Sequence, residues 1–174
     1  LQTIVKGWQV DAAKVQVINN AAPVINFSEH KPLNNDGDIL LSLGRLVSWK
    51  GFNTLISIVP KLLAINPKFQ LIIIGDGPEK LNLMRQVKEL GIQDNVEITG
   101  KLPRDQVIDH LISAKLFILN TGYEGMPHSV LEAMAVGLPV ITTNVCGNPE
   151  IVKHGENGLL VEYNNSRNLE QAIL

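Results

Sequence analysis

The chain has 174 residues, a formal charge of −2 and a single cysteine, Cys146. That length fits one domain with a proper core, and the mild charge gives no support for nucleic-acid or membrane-surface binding. One thiol excludes an internal disulfide framework and a cysteine-rich metal site, and it points weakly to a reducing compartment. Residues 1–34 are mixed in character. Ala13 to Ile18 alternates like a short strand. Asn19-Asn20-Ala21-Ala22-Pro23 breaks it, and Lys31 to Asp38 is a polar connection containing Pro and Gly. This region reads as an interdomain hinge with one edge strand, ahead of a domain over 35–174. The chain starts at Leu1 rather than Met and stops at Leu174 inside a helical pattern, so both ends look cut.

A regular alternation follows. Ile39 to Leu43 is an apolar run, and Gly51 to Ile65 has helical spacing. Phe69 to Ile74 reads as a strand, Glu79 to Leu90 as a helix ended by Gly91. Val96 to Thr99 is a strand, Arg104 to Ala114 a helix, Leu116 to Leu119 a strand. Pro127 to Val136 reads as a helix, Val140 to Thr143 as a strand, Pro149 to His154 as a helical turn. Gly158 to Val161 is the sixth strand, and a last helix begins near Arg167. Continuous apolar strands alternating with helices predict an α/β fold: a doubly wound, six-stranded parallel sheet of Rossmann-like type, covered on both faces. Ligands bind such sheets at the carboxyl ends of the strands.

Those ends carry the unusual residues. Gly44 to Gly51 holds two cations, Arg45 and Lys50, before a helix start. It reads as an ordinary basic loop or as a diphosphate cradle. Gly75-Asp76-Gly77-Pro78 is a tight turn or the start of a dinucleotide fingerprint, which Lys80 leaves incomplete. Thr99 to Pro103 is a plain turn or a loop whose backbone faces a base.

The most informative stretch runs from Tyr123 to Val140. Pro127 suits a first helical residue, and Gly137 and Pro139 suit a stop. Glu132 is the only ionised side chain between Pro127 and Val140. A helix apolar nearly all round is expected to be buried, and its carboxylate then needs a partner or a ligand. Glu124 lies on the preceding loop beside Gly125. Two carboxylates, a glycine between them and free helix N–H groups suit a polyol beside a phosphate. His128 falls at the helix start, as a cap, a packing residue or a ligand contact. The four histidines show no metal spacing. Neither a Gly-x-Ser-x-Gly elbow nor a phosphate-binding Gly-x4-Gly-Lys loop is present.

Together these residues resemble the C-terminal domain of a GT-B fold, family 4 retaining glycosyltransferase, over about residues 15–174. The most specific element is Glu124-x7-Glu132. Gly44-Arg45 through Lys50-Gly51, the Gly75 turn and Asn157 to Val161 follow in the family order. The resemblance implies that Arg45 and Lys50 hold a diphosphate. It implies that Glu124 and the Gly125-Met126-Pro127 backbone hold a donor sugar. Ser129 and Val130 N–H groups would meet the distal phosphate, and Glu132 the ribose hydroxyls. Lys101 and Leu102 would face the base, and Gly44, Gly75 and His128 complete the donor contacts. Catalysis would fall to Glu124, Arg45 and Lys50.

The implied substrate is a UDP-, GDP- or ADP-linked sugar, the activity hexosyl transfer with retention to a polysaccharide, lipid or small glycoside. Cations and helix N–H groups would stabilise the leaving diphosphate, so no metal or cofactor is expected. Glu124 and Glu132 are not read as an acid/base couple, since a diphosphate needs no protonated acid to leave. The family's hinge motif Asn-Gly-Val-Asp is here Asn20-Ala21-Ala22-Pro23. The resemblance implies an N-terminal acceptor domain as partner, a cytoplasmic location with membrane contact only through that domain, and a fragment unable to transfer sugar by itself. A non-catalytic nucleotide-sugar binding module and a GT-B sugar-nucleotide epimerase are the alternatives.

Overall fold

Strand β1 (Asp38–Leu43) is buried from Ile39 to Ser42, which requires cover on both faces. Its side chains alternate: Leu40 joins one apolar cluster, Ile39 and Leu41 another. The structure, a computed structural model, describes residues 11, 14, 16, 18, 20–22, 24–33 and 37–174. After β1 come α1 (Phe52–Ile65), β2 (Phe69–Ile74), α2 (Lys80–Glu89), β3 (Val96–Gly100), α3 (Arg104–Ser113) and β4 (Leu116–Leu119). Then follow α4 (His128–Ala135), β5 (Val140–Thr143), α5 (Asn148–Ile151), β6 (Leu159–Val161) and α6 (Ser166–Ile173).

All neighbouring strands pair in parallel, in the order β3-β2-β1-β4-β5-β6. This is the doubly wound, Rossmann-like α/β sheet that the alternation predicts. One face packs Leu46, Leu55, Ile56, Leu62, Leu83 and Leu169 against the sheet, from α1, α2, α6 and the loop after β1. The other packs Leu111, Val130 and Ala133 from α3 and α4 around Phe117 and Leu119. Burying each large aliphatic or aromatic side chain stabilises the fold by roughly 1.5–3 kcal/mol.

The chain reverses its direction of winding between β1 and β4. β1 pairs with β2 over six residues, but with β4 only at Leu40–Leu116 and Leu41–Phe117. Their carboxyl ends therefore separate, and a crevice opens at the topological switch point.

The strand expected over 13–18 lies partly outside the described residues. Lys14, Gln16 and Ile18 form no strand, and Ile18 is 83% exposed. The segment 24–33 lies against α3. His30 Nδ1 is 3.0 Å from Asp109 Oδ1, and the Leu33 N–H donates to Ser113 Oγ at 2.7 Å.

Candidate functional site at the switch point

The loops after β1, β2 and β3 enclose a cleft of about 690 Å³. Gly44, Arg45, Gly75, Lys101 and Leu102 all line it, with Asp76, Gly77 and Val107. Backbone bonds hold the loops in place. Gly44 N–H donates to Ile74 O at 3.0 Å, Leu46 N–H to Asp76 O at 2.9 Å, and Gly75 N–H to Gly100 O at 2.8 Å. Arg45 is exposed and has no ion-pair partner among the described residues. A hollow of about 600 Å³ at the opposite, amino-terminal end of the strands is lined by Leu40, Phe69, Leu116 and Ile173. Asn157, Gly158 and Leu159 also line it, but it lies away from Arg45, Lys50, Glu124 and Glu132, at the end of such sheets that ligands do not use.

Across the crevice, Lys50 Nζ pairs with Glu124 Oε1. Both side chains are only 14% exposed, and charges so enclosed need partners. The two loops are joined at the backbone as well. Gly122 N–H donates to Trp49 O at 2.7 Å, and Asn120 Nδ2 to Gly51 O at 3.0 Å. Beneath them lies a buried polar brace. Thr143 Oγ1 donates to Thr121 O at 2.5 Å, and Asn148 Nδ2 to Thr142 Oγ1 at 3.0 Å and Thr143 O at 2.9 Å. Gly147 N–H completes it by donating to Glu124 O at 3.1 Å. Sequence reasoning passed over Asn120, Thr121, Thr143 and Asn148. Their signal was available: polar residues directly after apolar strands, where the carboxyl-end loops begin.

Helix α4 corrects two expectations. Pro127 is the N-cap, with extended φ −72° and ψ 114°, and the helix starts at His128. The helix is also half-buried rather than buried all round: Val130 and Ala133 are enclosed, while His128 and Ala135 are exposed. Only one side of it meets the sheet, and the other faces the loops. Its first helical bond runs from Leu131 N–H to Pro127 O. The N–H groups of His128, Ser129 and Val130 therefore have no helical acceptor and can bind an anion. Met126 O accepts from Asn20 Nδ2 at 2.9 Å, so the chain entering the domain touches this loop.

Glu132 does not meet Lys50 or Glu124. Its Oε1 lies 3.0 Å from Arg104 Nη1, on the first residue of α3. Arg104 was not singled out from sequence. The structure thus gathers two constellations: the cleft after β1, β2 and β3 with Arg45, and the α4 approach with its two carboxylates held by separate cations. Among the described residues no three His, Cys, Asp or Glu side chains cluster as metal ligands, and no helix is long and apolar enough to cross a membrane.

Comparisons with known proteins agree with this arrangement. Residues 24–174 match the family model described as glycosyl transferases group 1. The chain is 33% identical over 168 residues to an uncharacterized glycosyltransferase of Haemophilus influenzae, covering 95% of this chain and 47% of that protein. It is also 33% identical over 168 residues to the lipopolysaccharide core biosynthesis glycosyltransferase LpsE of Rhizobium meliloti, covering 96% and 48%. The chain thus spans about half the length of these relatives. Among solved structures, Staphylococcus aureus TarM in complex with UDP superposes with a TM-score of 0.82 at 22% identity, over 98% of this chain and 34% of that one. Anabaena HepE in complex with UDP and glucose superposes with a TM-score of 0.80 at 24% identity, over 99% and 50%. With a GT-B-type sheet, a switch-point cleft and a family match over most of its length, the chain belongs to the glycosyl transferases group 1 family.

Proposed function

We propose that this chain is the donor-binding, C-terminal half of a retaining family 4 glycosyltransferase, with residues 1–34 as hinge and 35–174 as the nucleotide-sugar domain. The Lys50–Glu124 pair bridging the switch-point crevice beside the α4 N-terminus carries the reading. A cation, a carboxylate and unpaired helix N–H groups there meet the needs of a sugar diphosphate. Arg45, Lys50 and the Ser129 and Val130 N–H groups take the diphosphate. Glu124 and the Gly125-Met126-Pro127 backbone take the sugar, Glu132 the ribose hydroxyls, and Lys101 and Leu102 the base. Gly44, Gly75 and His128 flank these contacts.

In the reaction the bond from the anomeric carbon to the diphosphate oxygen breaks, the acceptor hydroxyl oxygen bonds to that carbon with retention, and the hydroxyl proton passes to the leaving diphosphate oxygen. The leaving diphosphate gains charge, which Arg45, Lys50 and the helix N–H groups stabilise. No residue has to protonate it, so the carboxylates orient the donor. The acceptor binds on a second, N-terminal domain, consistent with relatives about twice as long. The acceptor is a polysaccharide, a lipid or a small glycoside; the lipopolysaccharide core role in the name of LpsE supports a polysaccharide or lipid, and a cytoplasmic enzyme with nucleotide-sugar supply fits that role.

Calorimetric titration with UDP-, GDP- and ADP-sugars and the bare nucleotides tests the reading. UDP-sugars come first, since TarM and HepE were solved with UDP. One base should bind, and its sugar conjugate should bind differently from the bare nucleotide. Binding of no nucleoside diphosphate would refute the proposal. Retention is read from the anomeric configuration of the product formed by the full-length enzyme, and inversion would refute that part.

A further inference from the structure

Arg104 is the first residue of α3, where a cation opposes the helix dipole and an acid is favoured. Asp105 beside it has the expected sign. A residue that breaks a local rule calls for a gain elsewhere, and here the gain is Glu132, whose Oε1 lies 3.0 Å from Arg104 Nη1. The two differ in exposure: the Glu132 side chain is 15% exposed and that of Arg104 56%. Arg104 stands three residues before Val107, so the two share one face of α3. Val107 and Leu102 line the cleft after β3. Arg104 therefore continues that wall from the cleft towards α4 and ends it at Glu132.

The contact is single-pronged. It engages one guanidinium nitrogen and one carboxylate oxygen, whereas a fork-to-fork pair would occupy both oxygens. A carboxylate has about four acceptor positions. Oε2 is left to accept from a neighbouring diol while Oε1 stays fixed. Without Arg104, the Glu132 carboxylate would lose the partner that keeps it aimed.

Resting on the donor-site reading, we propose that Arg104 is a positioning residue of the nucleotide site. It holds the Glu132 carboxylate in place at the end of the cleft, with one oxygen free for the ribose hydroxyls. Arg104 acts through Glu132 and makes no required contact of its own with the nucleotide.

A double-mutant cycle tests this by calorimetry, with UDP, GDP and ADP as probes and the 2′-deoxy form of whichever binds. Arg104→Ala should weaken the ribonucleotide by on the order of tenfold, the scale of one charge-assisted hydrogen bond. It should weaken the 2′-deoxy nucleotide much less. In a Glu132→Gln background, Arg104→Ala should cost nothing further. Arg104→Lys should restore part of the loss, because a point charge can satisfy a single-pronged contact. Equal losses in both backgrounds, or equal losses for both nucleotides, would show that Arg104 acts directly or only structurally, and would overturn the proposal. Wild-type affinity in Arg104→Ala would overturn it while leaving the donor site intact. If the unsubstituted protein binds none of the three nucleotides, the donor-site reading falls, and the role of Arg104 falls with it.

Discussion

Gly147→Ala is the sharpest test of how the loop over 124–126 is held. Gly147 has φ −78°, which any residue adopts, so its requirement is steric. A Cβ there would stand 1.4 Å from Gly125 O and 2.6 Å from Gly125 C, whereas real Cβ contacts essentially never fall below 3.0 Å. Something has to withdraw by about 1.6 Å, the difference between those two limits. The α5 side is poorly placed to give way, because Asn148 is fully buried and its Nδ2 is bound to Thr142 Oγ1 and Thr143 O. The loop over 124–126 therefore moves, and the Gly147 N–H bond to Glu124 O at 3.1 Å is lost or stretched. Overpacking of this kind costs about 1–3 kcal/mol, and each kcal/mol lowers Tm by about 2–4 °C in a domain of this size. The shift also moves the Glu124 carboxylate and the Gly125 backbone from where a sugar conjugate would meet them. Thermal melts and titrations with a nucleoside diphosphate and its sugar conjugate read both effects. The variant should stay folded, melt several degrees lower, and bind the sugar conjugate no better than the bare nucleotide. A wild-type melt with wild-type preference for the conjugate would refute the reasoning.

Other outcomes follow from the same geometry. Arg45→Ala removes an exposed, unpaired cation, so it should leave the melt unchanged and weaken a nucleoside diphosphate by about tenfold; a lowered melt would assign it a structural role instead. Lys50→Ala strands Glu124 in an enclosed site, at the low end of about 3–5 kcal/mol for half a buried pair. The double variant Lys50→Ala, Glu124→Gln should therefore melt higher than Lys50→Ala alone, and an equal or lower melt would deny the pair. Glu132→Gln should weaken the bare nucleotide, while Glu124→Gln should weaken only its sugar conjugate; similar losses of bare nucleotide would undo that division. Burial holds the pKa of His110 below its ordinary 6.5, partly opposed by Glu97 and Asp109. His110 thus binds a proton more readily unfolded than folded. Its contribution to stability is complete above about pH 6.5 and is lost as pH falls below it. Urea midpoints from pH 7.5 to 5 should fall for the wild type and less for His110→Gln, and identical slopes would count against the assignment.

The fold was legible because its strands are continuous apolar runs, such as Leu71 to Ile74, which periodicity marks as strands buried on both faces. Most element ends agreed within a residue or two. Pro127 missed by one because proline suits both a cap and a first turn. The candidate site was legible where a motif has a fixed spacing, as in Glu124-x7-Glu132. Arg104 was not, because its partner lies 28 positions along the chain on another helix. Only the packing of α3 beside α4 brings them together. The half-burial of α4 was missed for a similar reason. Its sequence is apolar nearly all round, yet only Val130 and Ala133 are fully enclosed, because the sheet covers one side of the helix.

The short ladder between β1 and β4 has a consequence for local opening. With two residue pairs between them, these strands share the shortest ladder of the sheet. On one face the seam is clasped by α6 and the turn before it against α1, through Lys61 Nζ to Glu170 Oε2 at 3.0 Å and Thr54 Oγ1 to Asn164 Oδ1 at 2.9 Å. Both clasps lie at the surface and contribute little. The cheapest sub-global fluctuation should therefore part β1-β2-β3 from β4-β5-β6. A ligand seated across the crevice would act as a staple between the halves. Amide exchange should slow most along that seam, including amides of β4 far from the ligand.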